Sequence, residues 1–131
     1  MLKKAKIFSL KEIKTSSGNV IKFLDKKKKY FIKFGEVYFS EIKKGHVKGW
    51  NLHKKCHCLI TVPFGSVEFT LMDYKMKKKR KFVIKRKKPE VLTIPPKIWF
   101  KFKSLTNYSV IANLIDQIHD KKETQKKTIL R

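Results

Sequence analysis

Arginine, acid, cysteine and long apolar runs are all scarce in this chain, and each shortage excludes something. Arginine occurs only at Arg80, Arg86 and Arg131, although Lys and Arg together number 34. Sequence-specific readers of nucleic acid lean on the bidentate guanidinium fork, so that class is poorly equipped here. Asp and Glu number only 10, which leaves a formal charge of +24 and a field that attracts polyanions. No run of about 18 uninterrupted apolar residues exists, and the opening "MLKKAKIFSLKEIK" has too short an apolar run for a signal peptide. The expectation is a cytoplasmic protein with no membrane partner. Cys56 and Cys58 are the two cysteines. Their spacing suits a disulfide poorly, and free thiols in a reducing compartment are expected.

What is present is β-forming. Runs of β-branched and aromatic residues recur as "NVIKFLD", "YFIKF", "EVYFSEI", "CHCLITV", "SVEFTLMD", "KFVIK", "VLTI", "IWFKF" and "SVIANLI". Turn formers separate them: Ser16 to Asn19, Gly35, "KKGH", "PFG", "PP" and "LTN". Many short strands without a helical period predict an all-β sandwich or barrel of the jelly-roll kind. With 131 residues, 41% of them hydrophobic, the chain suits one domain spanning 1–131. Its last stretch, 120–131, reads as a polar C-terminal tail, frayed or weakly helical.

The stretch "HVKGWNLHKKCHC", residues 46–58, holds three of the four histidines and both cysteines. Period-two geometry puts Gly49, Asn51 and His53 on one face of a strand and Trp50 and Leu52 on the other. In the following strand His57 is expected to oppose Cys56 and Cys58, so these groups and His53 would not converge on one ion, and no metal is expected. For chemistry the stretch is better suited. A histidine titrates near neutral pH, so His53 could carry a proton to or from a substrate; a hydrogen-bonded barrel histidine without chemistry is the plain alternative.

The order of "FGEVYFSEI", "GHVKGWNLHKK", "VPFGSVEFTLMD", "TIPPKIWFKFKSL" and "VIANLIDQIHD" resembles short cupin proteins similar to dTDP-4-dehydrorhamnose 3,5-epimerase. The related dTDP-4-keto-6-deoxyglucose 3,4-ketoisomerases share a pattern of basic residue, Gly, aromatic, His, any, His, Lys. The resemblance covers roughly residues 17–120. It implies a cupin jelly roll (double-stranded β-helix), a homodimer, and an isomerase or epimerase acting beside the ketone of a dTDP-4-keto-6-deoxy sugar in surface-polysaccharide synthesis, with no cofactor. Lys48, Gly49, Trp50, His53 and Lys54 match the pattern, whereas Asn51 replaces its first histidine. Asparagine can hold a carbonyl but cannot shuttle a proton. The resemblance makes His53, Asn51 and Tyr38 catalytic candidates, and Lys48, Trp50, His57, Trp99 and Lys101 substrate-binding ones. Asp116 and His119, in "DQIHD", form a further possible acid–base pair, with capping or solvent contact as the plainer reading.

Two other functions compete with the enzyme. A non-catalytic cupin that binds a sugar nucleotide follows from Asn51. Nucleic-acid binding follows from the charge and from aromatics in "KKKKYFIKF", although no recognised nucleic-acid motif accompanies them.

Overall fold

The computed structural model describes residues 2–126. A 3₁₀ turn at Leu2–Lys4 leads into β1 (Lys6–Ser9), β2 (Lys11–Ile13), β3 (Val20–Lys22), β4 (Glu36–Lys43), β5 (Val47–His53) and β6 (Cys58–Phe64). After these come β7 (Ser66–Met72), β8 (Lys79–Lys85), β9 (Glu90–Ile94), β10 (Trp99–Ser104), β11 (Tyr108–Ile115) and β12 (Thr124–Lys126). They form two five-stranded antiparallel sheets, ordered β1-β9-β6-β11-β4 and β12-β5-β10-β7-β8, with β2 and β3 as a separate hairpin. From β4 to β12 consecutive strands alternate between the two sheets except at the β7–β8 hairpin, which is the winding of a jelly roll. Among the described residues no helix is long and apolar enough to cross a membrane.

The core lies between the sheets. Ile60, Val62, Leu92, Ile94, Ile111 and Ile115 enter from one sheet and Val67, Phe69, Leu71, Ile84, Phe100 and Phe102 from the other. In β4, Tyr38, Ser40 and Ile42 face inward and alternate with the exposed Val37, Phe39 and Glu41. In β5 the expected alternation holds from Trp50 onward: Asn51 and His53 face inward, while Trp50 and Leu52 join Met72 and Trp99 in a second buried cluster outside the sheet. Before Trp50 it breaks, and Lys48 shares the cavity with Asn51.

A bulge interrupts the β10–β5 ladder between Phe100 and Lys101, where Gly49 sits at φ +119°. A Cβ at Gly49 would lie 2.7 Å from both the Lys101 Cα and the Phe100 carbonyl oxygen. Glycine is required there because the chain takes a left-handed conformation against another backbone.

Four sequence expectations are corrected. "YFIKF" is not a strand: Tyr30 stacks on Phe8 with ring centroids 4.6 Å apart, while Ile32 and Phe34 stand exposed. β-propensity rewards a fitting neighbour, and here the neighbour is a side chain rather than a free ladder edge. β1 and β2 form where no strand was expected. Cys56 and His57 precede β6, which starts at Cys58, so strand alternation does not govern them. Within 120–126, a buried Glu123 and β12 replace the frayed or helical tail; the rest of that stretch, 127–131, lies outside the described residues.

Candidate active site

A cavity of about 360 Å³ opens between the two sheets. Glu36, Tyr38, Ser40 and Asn113 line it from one sheet, and Lys48, Asn51, His53, Thr124 and Lys126 from the other. Of the sequence candidates, Tyr38, Lys48, Asn51 and His53 therefore meet at one cavity, with His119 also on its wall.

The other candidates are placed elsewhere. Trp50 and Trp99 belong to the outer cluster, and the Lys101 ammonium lies 4.9 Å from the Trp50 ring centroid on that outer face. Period two explains it: Trp99 and Lys101 flank the inward Phe100. His57 sits against Asp116, whose carboxylate accepts from its backbone N–H at 2.9 Å and meets its Nδ1 at 3.1 Å, and the ring lines an outer groove. Asp116 thus pairs with His57 rather than with His119, whose backbone N–H donates to Glu36.

His53 is 5% exposed and stacks against Phe100 with centroids 5.9 Å apart. Its Nδ1 lies 2.7 Å from the Glu123 Oε1. The other carboxylate oxygen accepts the backbone N–H groups of Lys55 at 2.7 Å and Cys56 at 2.9 Å. β12 delivers this residue, because Thr124 pairs with His53 and Lys126 with Asn51. Burial is the largest single influence on Glu123 and opposes ionisation, but the Lys55 N–H, His53 and the Cys56 N–H together outweigh it and hold the carboxyl down to about 2. An ionised carboxylate only accepts, so Nδ1 of neutral His53 must carry the proton. Nε2 then holds the lone pair, and among the described residues it makes no hydrogen bond. That is the arrangement of a general base held in one tautomer by a buried carboxylate.

Tyr38 accepts a hydrogen bond from Asn113 Nδ2 at 3.0 Å, and burial followed by the nearby Cys58 raises its phenol to about 12. It stays protonated and able to donate.

One atom each from His53, Cys56 and Glu123 lies within 4.8 Å of the others. The expectation that candidate ligands would stay apart is thereby corrected, because Cys56 is in the loop and Glu123 was not among the groups considered. The donors already satisfy each other. Burial, then a hydrogen bond to Glu123, pushes the Cys56 thiol up to about 12, and Glu123 spends both oxygens on His53 and backbone. As a ligand set the cluster would have to give up the Cys56 thiol proton and the His53 Nδ1 proton; as it stands it is a proton-holding triad.

Glu123, Thr124, Lys126 and Asn113 went unrecognised in the sequence. The available signal was an acid inside a lysine run, conspicuous in a chain with only 10 acids.

Fold and site together define a jelly-roll cupin whose inter-sheet cavity is lined by a tyrosine from one sheet and, from the other, a histidine backed by a buried carboxylate. The chain belongs to the family described as "FdtA: WxcM-like, C-terminal", whose model matches residues 3–128. No curated protein matches it. Among solved structures it is similar to a dTDP sugar isomerase from Desulfovibrio desulfuricans, with 28% identity, TM-score 0.90, and coverage of 95% of this chain and 84% of that one. The sugar 3,4-ketoisomerase QdtA from Thermoanaerobacterium thermosaccharolyticum, in complex with TDP, shares 21% identity at TM-score 0.84, covering 97% and 90%. The epimerase RmlC from Legionella pneumophila, in complex with dTDP-4-keto-L-rhamnose, shares 16% at TM-score 0.83, covering 93% and 71%.

Proposed function

We propose that the protein is an isomerase or epimerase that moves a proton beside the ketone of a dTDP-4-keto-6-deoxy sugar. The observation that carries this reading is His53 on the wall of the inter-sheet cavity, with the Glu123 carboxylate behind it at its Nδ1. Family membership and likeness to a dTDP sugar isomerase support the substrate class.

A ketone acidifies the adjacent C–H. Nε2 of His53 takes that proton, and the imidazolium formed is stabilised by Glu123. Negative charge develops on the ketone oxygen, where the Tyr38 O–H is available as donor and Asn51 as a second polar contact. Isomerisation is complete when the hydroxyl on the deprotonated carbon passes its proton to the former ketone oxygen, becoming the new ketone, and His53 returns its proton to the former ketone carbon. Delivery of a proton from a donor or water on the opposite face of the same carbon gives epimerisation instead. Lys48 and Lys126 line the cavity and suit the diphosphate as point charges.

Proton NMR of dTDP-4-keto-6-deoxyglucose incubated with the protein tests the reading. Appearance of a 3-keto isomer or a C3 or C5 epimer is expected, and an unchanged spectrum at substrate levels that saturate binding would overturn it. A non-catalytic sugar-nucleotide binder is the second reading, favoured by Asn51 occupying the cavity where the resembled pattern has a histidine.

The partner we propose beyond the nucleotide sugar is a second copy of the chain. Val37 and Phe39, 46% and 71% exposed, stand on the outer face of edge strand β4. An apolar sheet face at an edge is suited to pairing with its own copy in a two-fold dimer. We also propose one domain for the whole chain.

A further inference from the structure

We propose that Asn113 sets the direction of the Tyr38 hydroxyl proton and so makes that phenol the donor to the ketone oxygen; the inference rests on the keto-sugar reading above. Asn113 is opposite Tyr38 in the β11–β4 ladder, is 5% exposed and lines the cavity. Its Nδ2 donates to the Tyr38 oxygen at 3.0 Å. A hydroxyl that accepts at its oxygen keeps its own proton for another acceptor, and Tyr38 makes no other hydrogen bond among the described residues. The cavity is the direction left to that proton.

The other end of the same amide shows what this orientation costs. Asn113 Oδ1 is buried without a partner, and an unpaired buried amide oxygen lowers stability. Its inward-facing neighbours along β11 are Ile111 and Ile115, so an aliphatic residue would suit the position for packing alone. Turned end for end, the amide would accept the phenol proton, pair its oxygen and remove the phenol as a donor to the cavity. The arrangement present does the opposite: the amide oxygen is unpaired and the phenol proton is free. Ionisable groups around Tyr38 are Cys58 of β6, Glu36 of β4 and Cys56 of the β5–β6 loop, and, across the shared cavity, Lys48 and His53 of β5, Lys126 of β12 and His119. Comparing each variant with the parent at the same pH cancels the titration of these groups. Burial keeps both thiols protonated, so neither competes for the phenol proton as thiolate.

Asn113→Asp tests the direction with little change of shape. Its carboxylate can only accept and would capture the Tyr38 proton, whereas its neutral acid can donate as the amide does. Relative to the parent at the same pH, kcat should fall by about 10²-fold at pH 8, the loss of one oxyanion donor. It should recover as pH falls and the buried acid protonates, with KM little changed. Asn113→Leu, which neither holds nor captures the proton, should lose about tenfold with no such recovery. Equal, pH-independent losses in both variants, or none, would overturn the proposal. A readout independent of turnover is the Asn113 side-chain NH₂ resonance in ¹⁵N-labelled protein. Tyr38→Phe should shift one of its two protons upfield if Nδ2 donates to the phenol, and no shift would overturn it. Absence of turnover in the parent would sink the keto-sugar reading instead, while the amide resonance still reports which way the hydrogen bond runs.

Discussion

Glu123 gives one oxygen to His53 and the other to the backbone of Lys55 and Cys56, so a single carboxylate both fixes a tautomer and ties the β5–β6 loop to β12. Its folded pKa, about 2, lies below the ordinary carboxylate value. The sign follows: its contribution is present above the unfolded pKa and is lost as pH falls through the interval down to about 2. Thermal or urea unfolding should therefore show stability decreasing between about pH 4.5 and 2, by an amount on the order of 3 kcal/mol. Glu123→Gln should flatten that slope; an unchanged slope would show that the carboxylate is not held as described. In Glu123→Gln an NH₂ must face either the two loop N–H groups, which strains the loop, or His53 Nδ1, which forces the ring into the tautomer with Nε2–H. Either outcome should lower turnover by at least about 10²-fold, within the range for a positioned acid–base group.

At the scale of elements, the bulge in β5 aims Lys48, Asn51 and His53 at the cavity and sends Trp50 outward. Gly49→Ala adds a Cβ 2.7 Å from the facing backbone at a φ that alanine disfavours. We expect a loss of about 2–3 kcal/mol, or a shifted register that removes activity, read from urea midpoints alongside turnover. A midpoint within about 0.5 kcal/mol of the parent, with activity intact, would contradict this account of the bulge. Most strands and their inward faces were legible in the sequence because alternation reports burial locally; Asn51 and His53 facing one way and Trp50 the other is such a case. What alternation cannot report is the partner strand. β12 is three residues long and two of its residues are exposed, so only its pairing with β5 reveals it. Glu123 was hidden for that reason, and Asn113 because one amide in an apolar strand reads locally as an interruption. "YFIKF" misled in the opposite sense, being apolar enough for a strand yet packed through Tyr30 onto Phe8.

For the molecule as a whole, charge and assembly pull against each other. A formal +24 on 131 residues opposes self-association at low ionic strength, whereas the exposed Val37 and Phe39 favour it. Light scattering at physiological salt, where the Debye length is about 8 Å, should give twice the chain mass, and Phe39→Glu should give monomer; a monomeric parent would refute the dimer. Catalysis is the central claim, and it depends on one base on the wall between two sheets. The measurement that tests it most directly is deuterium wash-in from D₂O into dTDP-4-keto-6-deoxyglucose, followed by NMR. The parent should place deuterium on a carbon adjacent to the ketone, while His53→Asn should bind dTDP as the parent does and exchange at no more than about one hundredth of its rate. Full exchange in His53→Asn would contradict the assignment of the base, and absence of exchange in a parent that binds dTDP would contradict catalysis itself.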